Sequence, residues 1–197
     1  MAPLPFTQPG ARIAFDVVLG SFVLLEWRAR LRSRLNAQGS KLDHGSLLVI
    51  VASVYVALGG AFALALDVHR AAIADGRWPM FVAGLVLMSA GIAIRQSAVA
   101  LLGRFFTVDV QVHPHQTVVE RGSYRWVRHP AYTGLILTSV GLGLALGNWA
   151  ALAVLVVVPT AGLVVRIHFE ERALLEGLGE PYRIFASSRS RLFPGLW

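Results

Sequence analysis

The sequence predicts an all-α, polytopic integral membrane protein with about five transmembrane helices. Three observations lead there. Of 197 residues, 55% are hydrophobic and only 15% charged, against about 25% charged in a soluble domain; the mean hydropathy is +0.61. Several apolar runs approach the roughly 20 residues that a helix needs to cross a hydrocarbon core about 30 Å thick. The basic residues gather in segments that alternate spans leave on one face.

In chain order, the first span is "RIAFDVVLGSFVLLEW" (12–27), interrupted by Asp16 and Glu26. The second, "SLLVIVASVYVALGGAFALAL" (46–66), is uninterrupted, and the third (79–102) contains Arg95. An intramembrane arginine is a functional candidate by default; a structural pairing of Arg95 with Asp16 of the first span is the favoured expectation. The last two runs, 131–147 and 149–165, meet at Gly147-Asn148. So short a polar joint predicts a tight helical hairpin. The start, "MAPLPFTQPGAR", has no basic stretch before its apolar run, so no cleaved signal peptide is expected.

Seventeen of the eighteen basic residues are Arg, Lys41 being the exception, a skew that fits a GC-rich bacterial genome. With five spans, residues 28–45, 103–130 and the tail from Arg166 share one face and hold fourteen of the eighteen. Arg12, Arg70 and Arg77 fall on the other face. Basic residues concentrate on the cytoplasmic side, which predicts a multi-pass protein of the cell membrane with its C-terminus inside. The net charge of +7 then reads as topology and contact with anionic membrane lipids, not as nucleic-acid binding.

The absence of cysteine excludes disulfides, a thiolate nucleophile and Cys-ligated zinc. "GLGLALG" (141–147) lies inside a span, where small residues serve close helix contact, so no dinucleotide-binding turn is expected. "HPH" (113–115) lacks a third ligand nearby, and no metal is expected.

Two polar constellations flank the hairpin. "GSYRWVRHPAYTG" (122–134) opens the fourth span. Pro130 suits the first turn of a helix and excludes His129 from the α region, which sets His129 beside free N–H groups that favour an anion. Arg128, His129 and Tyr132 read as a functional group, Trp126 and Arg121 as interfacial anchors. "RIHFEERALLEGLGEPYRIF" (166–185) leaves the fifth span, with Arg166 and Glu170 four apart on one face and Glu171 about 100° away. The hairpin returns this segment towards His129.

These residues resemble the isoprenylcysteine carboxyl methyltransferase family of membrane enzymes. The resemblance lies in G-x-Y-x-x-x-R-H-P-x-Y-x-G, here Gly122, Tyr124, Arg128, His129, Pro130, Tyr132 and Gly134. It continues in Arg166, Glu170, Glu171, Leu174, Gly179 and Tyr182, with "FTVDVQ" upstream. It covers roughly residues 104–197. Phe185 stands where the family usually has Tyr, and His168 and Phe169 stand where eukaryotic members carry more acids.

The resemblance implies S-adenosylmethionine as cofactor, held in a cytoplasm-facing pocket built by the C-terminal hairpin and tail. The implied cofactor-binding residues are Gln111, Gln116, Thr117, Val118, Val119, Tyr124, His129, Pro130, Ala131, Tyr132 and Glu170. Arg166 takes the position of the family's substrate-carboxylate arginine, so Arg166 and Glu170 are the expected catalytic residues. The chain is expected to be one membrane domain over 1–197, with 1–102 a three-helix scaffold and 103–197 the catalytic half. Methyl transfer to a carboxylate of a lipophilic or lipidated acceptor is the leading expectation. Methylation of a phospholipid or other lipid amine is the alternative, followed by an NADPH-dependent reductase of the sterol-reductase type. That last group typically shows R-H-x-N-Y-x-G-D, whereas this chain reads "RHPAYTGL".

Overall fold

A computed structural model of the chain describes residues 2–36, 45–113 and 115–197. Lys41 of the basic cluster and Pro114 of "HPH" lie outside them. The described residues are mostly helical and hold no strand. A short α1 (Leu4–Thr7) leads into α2 (Pro9–Asn36) and α3 (Ser46–Asp67). Then come α4 (Arg77–Leu102), α5 (Pro130–Leu146), α6 (Trp149–Leu178) and α7 (Glu180–Ser187). All five expected spans are helices. Among the described residues, three stretches are long and apolar enough to cross a membrane: Ser46–Asp67, Arg77–Phe105 and Trp149–Leu178. The 17 residues of Pro130–Leu146 make a helix about 25 Å long at 1.5 Å per residue, shorter than a full crossing. The acids and arginines of α2 dilute its apolar character.

Small residues draw the helices together. A Cβ on Gly91 of α4 would lie 2.6 Å from the Gly134 carbonyl oxygen, and one on Gly134 of α5 would lie 2.8 Å from Cβ of Arg95. Only glycine lets the α4 and α5 backbones touch here. Gly84 meets Gly141 and Ala145 in the same way, so the two helices run antiparallel. Gly143 against Leu152 joins α5 to α6, and Gly162 against Ser53 joins α6 to α3. The main apolar core occupies the end of the bundle where α5 turns into α6. It includes Phe15, Ala57, Ala61, Phe81, Met88, Leu146 and Leu155.

The joint between α5 and α6 is as tight as expected. Gly147 ends α5 with φ +64°, and Asn148 caps α6, its side chain accepting from the Ala150 and Ala151 amides at 3.0 Å. Its amide donates to the carbonyls of Val68 at 3.0 Å and Leu64 at 3.3 Å, tying down the end of α3. Loss of a helix cap costs about 0.5–2 kcal/mol, and here two α3 carbonyls lose a donor as well. Asn148→Ala is therefore expected to lower the thermal unfolding midpoint in detergent. Asn148→Asp, which keeps the cap but not the donor, should fall in between; an unchanged midpoint in both would contradict this role.

Arg95 does not pair with Asp16. Its guanidinium grips the carboxylate of Glu26, with Nε donating to Oε1 and Nη2 to Oε2 at 2.8 Å. The helices α2 and α4 run parallel, and Arg95 stands towards the C-terminal end of α4, level with Glu26. Asp16 is ten residues earlier in α2, about 15 Å away along the axis. It pairs with Arg12 in an exposed contact at 3.6 Å.

Candidate active site

Pro130 is the first residue of α5, and His129 before it has φ −124° and ψ 59°, outside the α region. The tail lies alongside: the Arg128 amide donates to the Ser190 carbonyl and the His129 amide to that of Arg191, each at 2.9 Å. Thr133 Oγ1 donates to the Leu192 carbonyl at 2.5 Å. These bonds fix the backbone of 128–133 against residues 190–192 and leave the side chains of Arg128, His129 and Tyr132 to meet α6.

They meet it at two adjacent acids. Tyr132 donates its hydroxyl to Glu170 Oε2 at 2.6 Å, and its ring stacks on His129 with centroids 5.5 Å apart. Glu171 Oε1 accepts from Arg128 Nη1 at 2.7 Å and lies 3.2 Å from His129 Nε2. Arg191 bonds Glu171 Oε2 through Nε and Nη2, both at 3.0 Å. The 100° between successive helical residues makes this possible: Glu171 turns inward to the cations, while Glu170, its side chain 29% exposed, remains within reach of a ligand.

Buried polar atoms beside this network lack partners. Arg128 Nε and the Tyr182 hydroxyl are buried without a hydrogen bond among the described residues. The Tyr182 phenol is held well above the usual tyrosine range, by burial first and then by the charges of Glu171 and Glu170. Burial also pushes the Tyr124 phenol up, with Glu170 adding to it. Both are therefore protonated donors at neutral pH.

The other residues singled out in the sequence fall in several places. Tyr124 and Ala131 pack together with Ala98, and Val119 lies against them. Pro130 and Gln111 are buried, and Val118 is half-buried. Gln116 turns back on its own loop, accepting from the His113 amide at 3.0 Å, and Thr117 is exposed. Arg166 is buried one turn before Glu170. Its Nη1 donates to Ser46 Oγ at 2.8 Å and its Nη2 to the Val108 carbonyl, so it joins α6 to the start of α3. Arg191 is the network member that sequence reasoning missed: twenty residues beyond Glu171, it shares no helix with it and carries no local signal. Tyr182 was legible only as part of a motif.

Residues 83–176 match the sequence profile of the isoprenylcysteine carboxyl methyltransferase (ICMT) family. Protein-S-isoprenylcysteine O-methyltransferase A of Arabidopsis thaliana is 34% identical over 107 residues, 53% of this chain and 54% of that protein. The B form from the same plant is 28% identical over 152 residues, 73% of this chain and 77% of that protein. The chain thus spans little more than half the length of the first relative. The structure of the eukaryotic intramembrane Ras methyltransferase ICMT superimposes with a TM-score of 0.71 at 20% identity, covering 98% of this chain and 70% of that one. That likeness is one of fold.

Proposed function

We propose that the chain, whose residues 83–176 match the isoprenylcysteine carboxyl methyltransferase family, is a membrane S-adenosylmethionine-dependent carboxyl O-methyltransferase. Its acceptor is a lipophilic, isoprenylcysteine-like carboxylate. The observation that carries this reading is the meeting of Glu170 and Glu171 with Arg128, His129 and Tyr132 across the hairpin. The names of the relatives favour a carboxylate acceptor over a lipid amine and over reduction with NADPH.

The donor set fits the cofactor. Glu170, half-buried and already oriented by Tyr132, suits an ammonium group or a ribose diol. The unpartnered Arg128 Nε and Tyr182 hydroxyl suit a carboxylate or other acceptor. The Tyr124 and Tyr132 faces suit a sulfonium cation. S-adenosylmethionine, when bound, supplies an electrophilic methyl group. A carboxylate acceptor is ionised at neutral pH, so no residue need take a proton from it. The work left to the protein is orientation and exclusion of water. In this reading Arg166 orients the acceptor carboxylate with its planar fork. Gln111 and residues 116–119 complete the cofactor wall, residues 1–102 serve as scaffold, and the site faces the cytoplasm.

Calorimetry of the purified full chain tests the reading: S-adenosylmethionine should bind and NADPH should not. Tritiated methyl should then pass to an S-farnesyl cysteine analogue, and a reporter fused after Trp197 should be active only inside the cell. Binding of NADPH alone would overturn the assignment.

A further inference from the structure

Resting on that reading, we infer that Glu26 and Arg95 form a positioning pair, through which the first long helix holds the opening turn of α5 in place for the cofactor. A carboxylate and a guanidinium among apolar helices are costly to desolvate. Arg95 is 8% exposed, and the Glu26 side chain 17%. The pair also reaches beyond itself. With Nε and Nη2 committed to Glu26, the third guanidinium nitrogen, Nη1, lies 3.4 Å from the Ala131 carbonyl oxygen, in the first turn of α5.

The stem of Arg95 is equally constrained. Gly134 lies directly against its backbone nitrogen and Cβ, so the side chain starts from a point fixed relative to α5. One residue after Ala131, Tyr132 stacks on His129 and orients Glu170. A small rotation of this turn would separate Tyr132 from Glu170 and His129 from Glu171. Glu26 keeps the guanidinium in the one orientation from which Nη1 faces Ala131, and α2 thereby becomes part of the site without touching its ligand.

Two variants separate positioning from simple support of the fold. Arg95→Lys keeps a cation beside Glu26 but cannot also reach Ala131, and Glu26→Gln keeps the shape but releases the guanidinium. Each is expected to weaken S-adenosylhomocysteine binding about tenfold, within the usual range of coupling between linked sites. The double variant should lose no more than either single one, because both act through one brace. Amide hydrogen exchange at 130–135 should quicken in all three, while the thermal midpoint of Arg95→Lys stays near wild type. Asp16→Asn, in the exposed pair on the same helix, should change neither readout. Wild-type affinity in Arg95→Lys would overturn the inference, even if Glu26→Gln fails to fold. Failure of the unaltered protein to bind S-adenosylhomocysteine would instead overturn the cofactor reading, and this one with it.

Discussion

Glu171→Gln is expected to abolish measurable S-adenosylhomocysteine binding and to lower the thermal midpoint sharply. Glu171 is 8% exposed, and its carboxylate gathers two guanidinium groups and one imidazole from two separate segments, residues 128–129 and the tail. Glutamine fills the same volume but turns an NH2 group towards donors. Arg128, with a side chain 12% exposed, then loses its counter-charge inside the fold. Breaking one partner of a buried pair typically costs about 3–5 kcal/mol, much of it the penalty of the charge left behind. The Arg191 side chain is 31% exposed, so water screens part of its loss, and the lower end of that range is the expectation. The tail that fixes the His129 backbone is held partly by this bond, so site geometry and stability should fall together. Thermal unfolding in detergent and a cofactor titration on the same sample measure both. Wild-type values in both would show that the network neither supports the fold nor shapes the site.

Arg166→Lys is expected to separate catalysis from cofactor binding. Methyl transfer should fall about 10- to 100-fold, matching the loss of charged hydrogen bonds at roughly 1.5–3 kcal/mol. Affinity for S-adenosylhomocysteine should stay within about threefold of wild type, a margin of less than 1 kcal/mol. Lysine keeps the charge and loses the planar fork. The fork here faces Ser46 Oγ and the Val108 carbonyl, at the start of α3 and in the segment before Gln111. A carboxylate acceptor arriving from the membrane would meet the guanidinium at that junction. Tritiated methyl transfer beside a cofactor titration distinguishes the roles. Loss of cofactor affinity would mean that Arg166 holds the segment around Val108 in place, and full activity would remove the carboxylate clamp.

Much of this was legible in the chain. Pro130 and the Gly147-Asn148 joint marked the ends of α5, because proline excludes the α region before it and a glycine-asparagine step suits a sharp turn. The spacing of Arg166, Glu170 and Glu171 correctly put the two acids on different parts of one helix. Less legible were the loop residues 111–119, where no periodicity constrains direction. There Gln116 folds back onto His113 and Thr117 faces outward, while Val119 joins Tyr124.

By itself the sequence determined the helices, their apolar character and the crowding of polar groups at the mouth of the last hairpin. Each depends on residues no more than a turn or two apart, within reach of helical periodicity and local backbone preference. Tertiary structure alone decided that Arg95 faces Glu26 instead of Asp16, that Arg191 closes on Glu171, and that Arg166 spans to Ser46. The helix pairings depend on how far one helix slides along another, which close contacts such as Gly162 against Ser53 set for α6 and α3, while the hydrogen bonds from the Arg128 and His129 amides to the tail place Arg191. Partners 20 to 120 residues apart are brought together in these ways, and no local pattern encodes them.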